Sequence, residues 1–143
     1  MRPTSLLYAL ALLLSASVAH AGLRLPPDES FPLDNGAQVI LVQKNDAPLV
    51  AARIAIRGGA LADAAGKEGT AALLAQLLGK GAGTRDAVAF IDAVADVGGE
   101  LSFSADREAI WASADFLADD ATLMLELLAD ALQRPALSQE EFE

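Results

Sequence analysis

One short apolar segment bounded by glycine constrains the fold of this chain more than any other feature. Residues 69–78 are apolar around nearly the whole circumference of a helix. A helix of this kind is stable only when most of its surface is buried. The sequence therefore predicts a helix packed against a sheet. One side of it would consist of leucines: Leu73, Leu74, Leu77 and Leu78.

The rest of the chain contains five segments with the composition of β-strands. The first two flank Asp34-Asn35-Gly36, which favours a hairpin because Asn-Gly adopts positive φ at little cost. The third ends at a glycine pair. The last two flank a polar turn and predict a second hairpin. The segments are residues 31–33, 38–42, 49–56, 100–104 and 109–114.

Two further helices are predicted from apolar residues at helical spacing. One begins with Thr84 as its N-cap and ends at Gly98-Gly99. Its core stripe would be Ala87, Phe90, Ile91 and Val94. The other spans residues 119–133, with Asp130 and other acidic residues facing outward. Its apolar face would be Ala121, Leu125, Leu128 and Leu132, with Met124 beside them.

The order of these elements predicts an α+β layer. Near the end of the chain, Ser138-Gln139-Glu140-Glu141 has the form of a capping box, which opens a helix. A helix that opens here predicts a domain truncated at its C-terminal end, that is, a fragment of a longer protein. The alternative is a frayed tail.

Residues 1–21 have the pattern of a cleaved secretory signal peptide. A basic start precedes a leucine-rich centre, and Ala19 and Ala21 supply the small residues before cleavage at Gly22. The apolar run is shorter than the roughly 20 residues that a membrane anchor needs. The prediction is a periplasmic or secreted product that has no membrane segment after signal removal.

The charge of the chain excludes one class of partner. Ten Lys and Arg face twenty Asp and Glu, and removal of the signal with Arg2 brings the net charge to −11. Nucleic acid would be repelled by this surface, so no nucleic-acid partner is expected. The simplest interpretation is an ordinary solvated acidic surface, and the alternative is a surface that attracts cationic peptides.

Several short motifs occur in a fixed order along residues 30–143. Leu33-Asp34-Asn35-Gly36 leads into a strand, and Gly58-Gly59 begins a turn that ends at Asp63. Gly98-Gly99 precedes another strand, and Leu127-Leu128-Ala129-Asp130 is followed by Arg134-Pro135. Together these motifs resemble those of the M16 peptidase family, which includes insulinase and the mitochondrial processing peptidase. The resemblance implies a LuxS/M16-like fold of two layers, a mixed sheet with helices on one face, over residues 22–143.

Residues 69–82 resemble the family helix that carries the zinc motif H-x-x-E-H, but its three positions fall on Ala72, Ala75 and Gln76. Imidazoles at i and i+4 share one helix face and can bind one Zn²⁺, while the carboxylate at i+3 deprotonates the bound water. Methyl groups have no lone pair, and an amide is a poor zinc ligand. The single histidine, His20, lies in the signal, and there is no cysteine. We therefore expect no catalytic residue, metal site or cofactor in this chain.

The resemblance also implies a function. M16 proteins enclose a peptide chamber with two or four copies of the domain, and some bacterial forms pair a zinc-bearing subunit with a degenerate one. The expectation is a non-catalytic subunit that completes the chamber of an active M16 peptidase, which would hold the zinc. Two alternatives are an inert repeat of a longer M16 zinc metallopeptidase, and a stand-alone peptide-binding or scaffold domain.

In active relatives, the strand after the glycine pair binds the extended substrate by β-augmentation. The matching residues are Leu101, Ser102 and Phe103, where relatives have Asn-Ala. The resemblance implies that this strand binds peptide. The alternative is an ordinary edge or paired strand.

Overall fold

A computed structural model describes residues 26–142 of the chain, which divide into two compact units at Lys44. In the first unit, β1 (Asp28–Pro32) and β2 (Gln38–Val42) form an antiparallel hairpin. The Asn35 side chain accepts a hydrogen bond from the amide of Ala37 at 3.0 Å and closes the turn. The hairpin predicted from Asp34-Asn35-Gly36 is confirmed.

The second unit contains an antiparallel sheet of three strands. These are β3 (Leu49–Arg57), β4 (Glu100–Ala105) and β5 (Ala109–Leu117), in the order β3-β5-β4. The sequence predicts a mixed sheet, but every strand pair among residues 26–142 is antiparallel. The reason is that β3 and β4 run parallel to each other with β5 between them, so they do not pair.

Helices cover one face of this sheet. They are α1 (Thr70–Leu78), α2 (Ala87–Ala95) and α3 (Ala121–Gln133), and a short, exposed α4 (Gln139–Phe142) follows them in the chain. Phe116 of β5 and Leu127 of α3 are the largest fully buried side chains of the core between the two layers. The α+β class and the single helical layer are confirmed, and α4 begins where the capping box predicts a helix.

The start of α2 differs from the prediction. Asp86, not Thr84, is the N-cap, and its carboxylate accepts a hydrogen bond from the amide of Ala89 at 2.8 Å. Thr84 is not available as a cap because Ala82 and Arg85 form a reciprocal pair of 3.0 Å backbone hydrogen bonds, which places Thr84 in the tight turn between them. In the predicted stripe of this helix, Phe90 is buried and Ile91 is 54% exposed.

Two apolar faces are rotated from their predicted positions. In α3 the buried residues include Met124 and Leu128, but Leu125 is 60% exposed. In α1, Leu73 is 38% exposed because the side that packs on the sheet is centred on Ala71, Ala75 and Leu78. The buried residues of α1 are Ala71, Ala75, Leu77 and Leu78. This helix is therefore half-buried, and not enclosed as its composition predicts.

Candidate functional site

The candidate site begins at the N-terminus of α1, where Asp63 fixes the helix to the turn that follows β3. The Asp63 carboxylate accepts hydrogen bonds from the amides of Gly69 at 2.7 Å and Ala71 at 2.9 Å. These amides have no partner within the helix, so a carboxylate there both satisfies them and complements the helix dipole. The acidic residue that ends the Gly58-Gly59 motif thus has a structural role in positioning α1.

The three motif positions on α1 do not lie in equivalent surroundings. Ala72 and Gln76 are exposed, whereas Ala75 is only 3% exposed and lies in a core cluster with Ala71 and Ile110. The Gln76 side chain lies at the surface, although a helix this apolar is expected to be buried on most sides. No residue on this stripe has a side chain that binds zinc well.

Carboxylates elsewhere do not replace the missing ligands. Among residues 26–142, no group of three or more His, Cys, Asp or Glu side chains is arranged to hold a metal ion. The donor set of this helix therefore does not fit a catalytic zinc.

The strand next to α1 is β4, the proposed peptide-binding strand. Phe103 of β4 packs against the cluster that contains Ala75, so the motif helix and the strand are direct neighbours. β4 pairs with β5 along one edge, and along its other edge it pairs with no strand of the described chain. The structure thus brings the two predicted site elements together.

The register determines which backbone groups of β4 face this open edge. The amide of Asp106 donates to the carbonyl of Ala109 at 2.9 Å, so these residues form a hydrogen-bonded pair. Such pairs alternate along an antiparallel ladder. Ser102 therefore directs its N–H and C=O to β5, while Leu101 and Phe103 direct theirs to the open edge. Of the three predicted residues, two have the backbone orientation needed to bind an added strand.

A groove of about 300 Å³ lies along this edge, between α2 and the start of β4. Its walls are mainly apolar, with two glycines, Gly79 and Gly99, and one ionisable residue. The other lining residues are Phe90, Ile91, Val94, Ala95, Glu100 and Leu101. Sequence reasoning missed the groove and assigned Ile91, an exposed residue of its lining, to the core.

A cluster of charged residues holds the turn of residues 82–85, which leads into α2 and so into one wall of the groove. We name it the Asp130 cluster: Asp130, which is 8% exposed, bonds to Arg134 and forms an ion pair with Arg85 at 3.4 Å. A Cβ at Gly83 would overlap a carboxylate oxygen of Asp130, so any larger residue there would displace this carboxylate. The prediction that Asp130 faces outward is wrong, because two arginines compensate its burial.

The far end of β4 is fixed by the turn to β5. The Asp106 carboxylate accepts hydrogen bonds from Trp111 Nε1 at 2.7 Å and from the amides of Ala109 at 2.8 Å and Glu108 at 2.7 Å. These bonds hold the pKa of Asp106 below its usual value, and the bond from Trp111 has the largest effect. Gly59 packs on the same turn, where a Cβ would come within 2.5 Å of the Ala109 nitrogen.

Known proteins share the sequence pattern and the arrangement of helices and strands described above. The family model described as insulinase (peptidase family M16) matches residues 38–143, well over half of the chain. The chain belongs to peptidase family M16. The family predicted from the sequence is confirmed, and at the three motif positions this M16 chain is a degenerate member.

This M16 chain is similar to two solved structures. A peptidase M16 inactive domain from Pseudomonas fluorescens has a TM-score of 0.71 and 21% sequence identity, and the match covers 80% of this chain and 28% of that one. A protease from Helicobacter pylori has a TM-score of 0.74 and 26% identity, with 82% and 28% covered. The chain thus spans 28% of the length of each. No curated protein matches.

Some predictions fall outside these findings. The signal peptide and its cleavage residues Ala19, Ala21 and Gly22 lie outside the described residues. Within residues 26–142, none of the helices has the length and apolarity required to span a bilayer.

Proposed function

We propose that this chain is a non-catalytic M16 domain, exported to the periplasm, that completes the peptide chamber of an active zinc metallopeptidase partner. The observation that carries the proposal is the state of α1. The positions of the zinc motif hold Ala72, Ala75 and Gln76, and Ala75 is packed into the core. No side chain at these three positions can bind a metal ion or activate a water molecule.

The part of the proposal that concerns peptide is supported by β4. An added strand gains most of its affinity from backbone hydrogen bonds, which do not depend on the side chains that differ from those of relatives. Leu101 and Phe103 offer these groups at an open edge beside α1. The chain would hold part of an extended substrate whose cleavage takes place on the partner.

One alternative is favoured by a specific observation. The chain matches only 28% of the length of each related structure, which suits an inert repeat within a longer M16 zinc metallopeptidase. In that arrangement a later repeat carries H-x-x-E-H and supplies the zinc. A stand-alone peptide-binding or scaffold domain is the remaining alternative, in which β4 acts without any peptidase.

The decisive experiment is reconstitution. The natural polypeptide that contains this chain is tagged and purified from the periplasm, and its partners are identified and tested separately and together for peptide hydrolysis. We expect a partner that carries H-x-x-E-H, one zinc per catalytic motif, and chelator-sensitive hydrolysis that requires both proteins.

Each contrary outcome has a distinct meaning. Hydrolysis by the purified polypeptide alone, with an H-x-x-E-H motif in its own later sequence, would establish the repeat arrangement. Absence from the periplasm would contradict the localisation. A lack of any effect on the partner's hydrolysis would contradict the chamber role.

A further inference from the structure

The groove and the open edge of β4 form one continuous surface, which restricts the side chains of a bound strand. Side chains on paired strands that lie directly opposite each other point to the same face of the sheet. On β4, Leu101, Phe103 and Ala105 face the helices, whereas Glu100 and Ser102 face away. A residue bound opposite Leu101 would therefore direct its side chain into the groove beside α2.

The walls of the groove define what that side chain must be. Phe90, Val94 and Ala95 of α2 and Leu101 of β4 present hydrocarbon, and none of these residues carries a charge. An aliphatic side chain placed there loses water contact without leaving a polar group unsatisfied. A carboxylate in the same position would lose its hydration and approach Glu100, the one ionisable residue of the lining.

The neighbouring positions of the bound strand are restricted by charge. Residues adjacent to the aliphatic one lie on the opposite face, where the exposed carboxylate of Glu100 is the nearest charged group of β4. The chain as a whole carries a net charge of −10, which favours the approach of cations. A lysine or arginine beside the aliphatic residue is thus complementary to this surface.

We propose that this surface selects an extended segment in which an aliphatic residue, opposite Leu101, is flanked by basic residues. The inference rests on the proposed function, because it assigns side-chain preference to the strand that would hold substrate. In this proposal the preference for particular peptide side chains comes from α2 and Glu100, and not from the motif helix α1.

The test is the equilibrium binding of labelled peptides to the full chain, measured by fluorescence anisotropy. The probe has a central Lys-Leu-Lys in a Ser/Thr background, and comparison peptides replace Leu by Ala or by N-methyl-Leu. We expect replacement of the isobutyl group by methyl to weaken binding about tenfold. N-methylation, which removes a backbone donor but keeps the side chain, should weaken it at least as much. Equal binding of the three peptides would overturn the proposal.

Matched variants locate the effect. Ala95→Trp fills the groove and should abolish the preference for Leu over Ala, whereas Ala89→Trp, on an exposed position of the same helix outside the groove, should leave it intact. Glu100→Gln should reduce the preference for Lys-Leu-Lys over Gln-Leu-Gln several-fold, and Glu126→Gln on α3 should not. If each variant behaves like its control, binding does not occur at this surface.

This measurement involves neither partner nor hydrolysis. If the binding measurement shows no preference, the side-chain inference is wrong, and reconstitution still tests the chamber role. If reconstitution fails, the measured peptide binding still stands.

Discussion

The motif helix α1 and the open edge of β4 are neighbours that differ in what their function requires. A zinc site on α1 depends on three particular side chains, and the chain has Ala72, Ala75 and Gln76 there. Strand binding at β4 depends on backbone groups, which Leu101 and Phe103 present whatever their side chains. Sequence change can thus remove the side chains of a zinc site and leave an open strand edge in place.

The burial of Ala75 means that the catalytic carboxylate cannot be restored without cost. Ala75→Glu places a carboxylate in an apolar cluster and should lower the free energy of unfolding by about 3 kcal/mol or more. The matched variant Gln76→Glu, one residue along on the exposed side, should change it by less than about 0.5 kcal/mol. Urea denaturation measures both. Equal values would show that the motif positions are equivalent after all.

The wall of the groove depends on the Asp130 cluster. Asp130→Ala leaves Arg85 and Arg134 without their carboxylate, and because both arginines are partly solvated we expect a loss of about 2 kcal/mol, less than for a fully buried pair. Glu126→Ala, in the same helix but exposed, is the control and should be close to neutral. The urea denaturation midpoints of the two variants and the wild type measure this difference. A neutral Asp130→Ala would mean that the cluster does not hold the turn before α2.

Exposed positions of α1 should accept metal ligands where the buried one does not. Ala72→His combined with Gln76→His places two imidazoles one turn apart, and should create a zinc site absent from either single variant. At a zinc concentration about ten times the new Kd, the double variant should gain about 1.4 kcal/mol of stability. Thermal unfolding with and without zinc measures this gain. No gain over the single variants would contradict the exposed i, i+4 geometry.

The smallest effect concerns the turn that ends β4. Because the folded-state pKa of Asp106 is lowered, its contribution to stability is present above the unfolded value of about 3.9 and is lost as pH falls through the lower folded value. The stability advantage of the wild type over Asp106→Asn should therefore shrink below about pH 4. Urea midpoints from neutral to acid pH measure it, with the exposed Glu108→Gln as the control. A pH-independent difference would contradict the assignment.

Local pattern was sufficient where neighbours in sequence determine structure. Asn35-Gly36 predicted the first hairpin, and the spacing of apolar residues predicted α2 and α3. It failed where distant residues decide the outcome. The burial of Asp130 depends on Arg85, 45 residues away, and no periodicity reports such a pair. The cap of α2 was misplaced because Thr84 and Asp86 are both good caps and the turn between Ala82 and Arg85 decides between them.

The candidate site was predicted to a similar degree. Both of its elements were identified from the sequence, as was the absence of zinc ligands on α1. The exposure of Gln76 was missed because a helix that is apolar on nearly every side gives no indication of which side meets the sheet. The groove was missed because three separate segments form it. Such a cavity depends on how the elements pack, which their individual patterns do not contain.

The most direct test of the central claim uses the purified chain alone with the Lys-Leu-Lys peptide. Binding is followed by anisotropy and integrity of the peptide by mass spectrometry, each with and without a metal chelator. The chain is expected to bind the peptide equally well with and without the chelator and to leave it intact throughout. Cleavage that the chelator abolishes would contradict this expectation.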